Sequence, residues 1–170
     1  MLVMVNPVVV MGVCGSGKSG LASLLAARWN VPFIEGDDLH SKNNRARMAA
    51  GTPLTDEDRE PWLDQIGATI ASAQRTNGGA VATCSALKRV YRDRLRTAVG
   101  DQLRFVFLDI PRRVLEQRMA ERKGHFMPAA LLDSQLGTLE RPVGEGDVLV
   151  VEGSVSMEES VRRVCQWQAR

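Results

Sequence analysis

Residues 8–19 read VVVMGVCGSGKS, and this stretch limits the possible fold more than any other in the chain. A short apolar run dominated by valine stops at a glycine. Gly12, Gly17, Lys18 and Ser19 then complete G-x-x-x-x-G-K-[ST], the phosphate-binding P-loop pattern. Gly12, Gly15 and Gly17 allow backbone angles closed to other residues, so that successive N–H groups can turn inward around a phosphate. Lys18 brings a mobile positive charge to the β- and γ-phosphates, Ser19 offers a hydroxyl to Mg²⁺, and a helix opening at Gly17 presents its positive end to the anion. Such a loop needs a buried strand before it and a helix after it. Val8–Met11 supplies the first, and Leu21, Leu24, Leu25 and Trp29 recur at helical spacing until Asn30 and Pro32 stop them.

The rest of the chain repeats this alternation. Strand-like runs fall at Val8–Met11, Pro32–Glu35, Ala80–Cys84, Leu103–Leu108 and Asp147–Val151, with helical patterns between them. Near-continuous apolar strands separated by helices predict a buried parallel sheet with helices on both faces. Ligands of such sheets bind at the carboxyl ends of the strands, which selects residues 12–19, 35–40, 84–88 and the neighbourhood of Asp109. Ser41 is expected to cap a helix running to Ala50. Thr55 and Asp58 form a capping-box variant, with Pro61 in the first turn of a helix that turns Trp62, Ile66 and Ile70 to one side. Ser85 is expected to cap a helix to about Val99 with Leu87, Val90, Tyr91 and Leu95 inward. Pro111–Arg122 and Pro128–Leu139 read as helices, and Ser156 as the cap of the last one.

Composition narrows the function. The 170 residues suit one domain, and 22 basic against 20 acidic residues give a net charge of +2, too balanced for a global nucleic-acid or membrane footprint. No apolar run approaches the ~20 residues of a membrane span. The opening MLVMVNPVVVMG lacks a basic leader and reads as the first strand rather than a secretory signal. Cys14, Cys84 and Cys165 lack metal-type spacing and are expected as reduced thiols in a cytoplasmic protein.

The P-loop alone does not separate a kinase from a GTPase. No N-K-x-D segment is present, and Asp64 with Gly67 match D-x-x-G only inside a helical pattern. Glu35, Gly36, Asp37, Asp38 and His40 follow the second strand. Phosphoryl transfer to a hydroxyl needs a carboxylate to orient the nucleophile and accept its proton, a task assigned here to Asp37. Zinc at His40 lacks the remaining ligands. In the basic segment KRVYRDRLR, Lys88, Arg92 and Arg96 share a helix face; Lys88 sits where an anionic substrate would arrive, and Arg96 reads as solvated. Arg118, Arg122, Lys123 and His125, beside Gly124, have the composition of a cationic lid over a transferring phosphoryl group.

The segments GVCGSGKS, EGDDLH, GTPLTDEDREPWL, CSALKRVYRDRLR and KGHFMPAALLDSQLGTLERP together resemble the P-loop gluconate kinases, relatives of shikimate kinase and of the nucleoside monophosphate kinases. The resemblance spans residues 8 to about 151. It implies a three-layer α/β P-loop kinase fold with a five-stranded parallel sheet in the order 2-3-1-4-5, one domain over 1–170 with a lid at about 122–140, and commonly a homodimer. The implied reaction is ATP-dependent phosphorylation of D-gluconate at its 6-hydroxyl. The ATP contacts so implied are Gly12, Cys14, Gly15, Ser16, Gly17, Lys18 and Ser19, with Ser19 also on Mg²⁺ and Arg118 on the adenine. Asp37, His40, Arg45, Arg59, Lys88, Arg92 and His125 are the implied substrate contacts, and Lys18, Asp37 and Arg122 the catalytic set. Glu35 departs from the expected Asp, and Asp109 is expected to help start the helix at Pro111. Another small-molecule kinase, such as shikimate kinase, or a non-catalytic ATP-binding module would keep the same loop.

Overall fold

In the computed structural model, which describes residues 4–122 and 129–170, five strands form one parallel sheet. They are β1 (Val8–Met11), β2 (Phe33–Ile34), β3 (Val81–Thr83), β4 (Arg104–Asp109) and β5 (Val148–Glu152), ordered β2-β3-β1-β4-β5 as the resemblance implies. β1 lies at the centre. Val8 is in register with Val81 on one side and Arg104 on the other, so every β1 residue is buried from both faces. This placement is why β1 is apolar throughout instead of alternating.

Successive side chains leave a strand on opposite faces, and the core divides accordingly. Val9 and Met11 join Phe105, Phe107, Ile66 and Leu95 on one face of the sheet. Val8 and Val10 join Val106, Leu21, Leu25 and Val164 on the other. α3 (Asp56–Asn77) and α4 (Arg89–Val99) cover the first face, with α5 (Arg112–Glu121) and α6 (Ala129–Thr138) reaching its edge through Leu115 and Leu132. α1 (Lys18–Trp29) and α7 (Met157–Gln168) cover the second. α2 (Lys42–Ala49) follows a single 3-10 turn at Gly36–Leu39. Gly67 lies inside α3, where an added Cβ would stand 2.6 Å from the Ala98 Cβ, so its part in D-x-x-G is helix packing.

Caps form where the sequence places them. Ser41 accepts from the Asn44 N–H at 3.0 Å, Ser156 accepts from the Glu159 N–H at 3.1 Å, and Thr55 and Asp58 complete a reciprocal box. Other expectations are corrected. The box at Thr55 starts α3 before Pro61, which therefore lies inside the helix rather than in its first turn. α4 starts at Arg89, not after Ser85, because Ala86 adopts a positive φ of 47° that no right-handed helix admits. Val90 is then 60% exposed while Tyr91 and Leu95 turn inward. Asp109 does not cap α5: it ends β4, and its carboxylate pairs with Arg141. Of the expected lid, Arg122 and α6 are described; Lys123 and His125 lie outside the described residues. No helix among those described is long and apolar enough to cross a membrane.

Candidate active site

The carboxyl end of β1 carries the phosphate loop. Gly12, with φ at 148°, lets the chain pass the Ser16 hydroxyl and the Leu108 carbonyl, which a Cβ would crowd at 2.9 and 3.2 Å. Gly17, with φ at 94°, begins α1 and supplies no side-chain cap, so the first N–H groups of α1 are left for a ligand. The Lys18 ammonium folds over the loop and donates to the Gly12 and Val13 carbonyls, each at 3.0 Å. Burial pushes its pKa down, and the nearby Asp37 carboxylate opposes that push.

The end of β2 is tied to this loop. The Ser19 hydroxyl donates to Glu35 Oε2 at 2.6 Å, while the Thr83 hydroxyl at the end of β3 donates to Glu35 Oε1. The Gly36 N–H donates to Thr83 Oγ1 at 3.0 Å, and Gly36 packs so closely that a Cβ there would overlap the Thr83 carbonyl oxygen. The Trp62 indole donates to the Gly36 carbonyl at 2.7 Å, and the His40 ring stacks on Trp62 with centroids 3.9 Å apart. Burial, followed by the charges of Arg59 and Arg45, pushes the His40 pKa down to about 4, so the imidazole is neutral at pH 7. Its value is therefore that of a polar contact and not of a cation.

Two cavities meet at the loop. One, of about 600 Å³, is lined by Gly15, Ser16, Gly17, Arg118, Arg122 and Glu152, among others. Arg118 lies over the loop there, donating to the Gly15 and Ser16 carbonyls at 3.3 Å each. The other is narrow, about 60 Å³, and brings Cys14, Lys18, Asp37, His40, Arg59 and Gln135 together. The loop thus separates the larger space from a narrow pocket that brings together a carboxylate, a lysine and an arginine.

The remaining sequence candidates divide. Arg59 faces the narrow cavity, held from behind by the Leu54 carbonyl at 2.7 Å and the Tyr91 hydroxyl at 2.9 Å. Tyr91 in turn donates to Asp56, which also accepts from Lys88 at 3.0 Å. Lys88 is therefore engaged behind the cavity and does not line it. Arg45 is exposed and donates to the Asp38 carbonyl at 2.5 Å, outside the cavity. Arg92 is a correction. Its guanidinium is wholly buried and donates to Glu145 and to the Ala86, Leu87 and Glu140 carbonyls, leaving nothing for a substrate. Arg96 is not solvated but pairs with Glu145, Asp147 and Asp93. Among the described residues no three His, Cys, Asp or Glu side chains cluster to hold a metal, zinc included.

Sequence reasoning missed several contributors. Thr83 and Tyr91 act through partners distant in sequence, and Gln135, whose Oε1 accepts the Cys14 N–H at 2.7 Å, gave no local signal. The position of Thr83 at the carboxyl end of a central strand is the one clue that could have found it.

Known proteins place this site in context. A family model described as an AAA domain matches residues 8–142. A gluconokinase of Gluconobacter oxydans is 47% identical over 160 residues, covering 91% of this chain and 88% of that protein. The chain belongs to the gluconokinase family. The crystal structure of a gluconokinase from Sinorhizobium meliloti, at 46% identity, superposes with a TM-score of 0.86 over 97% of this chain and 92% of that one. Likeness in fold extends to the shikimate kinase of Aquifex aeolicus, at 18% identity, 95% and 94% coverage and a TM-score of 0.61. Gluconokinases are phosphotransferases, and the P-loop kinase class to which they belong takes its phosphoryl group from ATP.

Proposed function

We propose that this chain transfers the γ-phosphoryl group of ATP to the 6-hydroxyl of D-gluconate, with residues 1–170 forming one catalytic domain that works as a homodimer. The family supports the reaction, and one observation carries its placement: Asp37 and Lys18 line the same cavity, immediately beside the phosphate loop. Asp37 is exposed at the mouth of the sheet, free to orient the acceptor hydroxyl and take its proton as the O–P bond forms. Lys18 and Arg122 neutralise charge on the transferring group, and Arg118 lies against the nucleotide. His40 and Arg59 hold the sugar acid, with Arg59 the match for its carboxylate because a guanidinium pairs with carboxylates through two parallel donors. Arg45 and Lys88, outside that cavity and engaged with the Asp38 carbonyl and Asp56, are left out of the acceptor contacts.

The donor set at Ser19 fits Mg²⁺. It offers a hydroxyl beside the Glu35 carboxylate, hard oxygen groups of the kind this ion takes, and too few of them for an all-protein cage. Ser19 would hold the ion, with the Glu35 and Asp37 carboxylates near enough to support it through water, and the chemistry it would supply there is positive charge to offset that of the phosphates. The longer Glu35 in place of Asp suits this role because it spans from Ser19 to Thr83.

Asp37→Asn tests the placement. Turnover with gluconate is expected to fall by about 100-fold or more, the scale of lost general-base catalysis, with ADP affinity unchanged. Retained turnover would remove Asp37 from its role.

A further inference from the structure

We infer that Gln135 is a catalytic residue, its side-chain amide donating a hydrogen bond to the phosphoryl group in transit. The inference rests on the kinase reading above and adds to it a group that the phosphate loop and the acceptor residues do not include.

The orientation of the carboxamide follows from its partner. Cys14 presents a backbone N–H, which can only donate, so the oxygen of Gln135 must face it, at 2.7 Å. The NH₂ end is then the one turned away from the loop backbone, on a side chain that lines the narrow cavity with Lys18, Asp37 and Arg59. Among the described residues no hydrogen bond consumes that NH₂ group. Its position along the loop specifies what it meets. Gly15, Ser16 and Gly17 line the larger cavity, whereas Cys14 and Lys18 line the narrow one. A phosphoryl group passing from the first space to the second crosses between these two sets of residues, where Gln135 is anchored.

The anchor is firm. Gln135 lies on α6, which seats Leu131 and Leu132 in the protein interior, and the chain after α6 is fixed by the Glu140 N–H donating to the Leu87 carbonyl at 2.7 Å. A neutral donor held this way acts on charge as it develops, without reorganising during transfer. It also leaves the loop's net positive charge unchanged, which a lysine or arginine there would not.

The test compares nucleotides with and without a third phosphate. Gln135→Glu keeps the oxygen that accepts from Cys14 and replaces the donor with an acceptor, whereas Gln135→Leu removes both. Binding of Mg²⁺-ADP and Mg²⁺-AMPPNP is measured by calorimetry on wild type and both variants, after thermal melting has shown that they fold. The expected result is that preference for AMPPNP over ADP falls by about tenfold or more in both variants, while kcat with gluconate falls by about 100-fold, the typical loss of one preorganised donor. An unchanged preference overturns the assignment, as does tighter AMPPNP binding by Gln135→Leu, which would make the carboxamide a competitor for the Cys14 N–H. Wild-type turnover with gluconate reports separately on the reaction itself, and the nucleotide comparison does not depend on the acceptor.

Discussion

The Ser19 hydroxyl donates to the Glu35 carboxylate at 2.6 Å, joining the first turn of α1 to the end of β2. Through Thr83 the same carboxylate reaches the end of β3, so one side chain holds three elements at the point where nucleotide and metal are expected. Glu35→Gln keeps the shape and removes the charge. The Mg²⁺ concentration giving half-maximal turnover should rise by about tenfold or more, the scale seen when outer-sphere partners of a metal are lost. An unchanged Mg²⁺ titration would restrict Glu35 to fastening the strands.

His40 gives the fold an acid sensitivity. Its pKa is about 4 in the folded protein against an ordinary 6.5, so between those pH values the unfolded chain binds more protons. Stability from the neutral imidazole is thus fully present above pH 6.5 and is lost as the pH falls toward 4, by up to about 3 kcal/mol. Urea unfolding of wild type and His40→Gln from pH 4 to 7 measures it. The difference between the two should change with that slope; curves that stay parallel would contradict the buried neutral ring.

Arg92 serves the fold, not the substrate. Replacing it by methionine leaves Glu145, 3% exposed, with Arg96 as its remaining cationic partner. Removing one partner of a buried pair costs about 3–5 kcal/mol, and the lower end is expected here because Arg96 stays. Chemical denaturation should show that loss while the KM for gluconate stays at its wild-type value at low temperature. A raised KM without loss of stability would return Arg92 to the acceptor site.

Gly36→Ala places a methyl group against the Thr83 carbonyl, which is backbone and has little room to yield. The substitution should cost about 2 kcal/mol or more and pull Asp37 out of position, lowering kcat along with stability. Wild-type stability, measured by thermal unfolding, would show that β2 and β3 are not held at this spacing.

How far the sequence could be read follows the range of the interactions. The phosphate loop is local, its glycines and lysine adjacent in the chain, and β1 is apolar along its whole length because strands flank it on both sides. Both were legible. Asp37 and His40 could be placed because they follow a strand whose carboxyl end must lie beside that loop. The Arg59–Tyr91–Asp56 relay was not, since Arg59 and Tyr91 stand 32 residues apart and neither carries a periodic mark of the other. Arg92 stood among the implied substrate contacts because its neutralising partner is 53 residues away and nothing local marks the pair, and Arg96 read as solvated because charge on an amphipathic helix is ordinarily exposed. The backbone at Ala86, with its positive φ, gave no glycine to announce the break before α4.

The central claim is best tested by ADP release from the purified protein with Mg²⁺ and ATP, comparing D-gluconate with shikimate, nucleoside monophosphates and no acceptor. Release with gluconate well above every other condition is the predicted result. Release driven by a different acceptor, or by none of them, would contradict the assignment of the narrow cavity to gluconate.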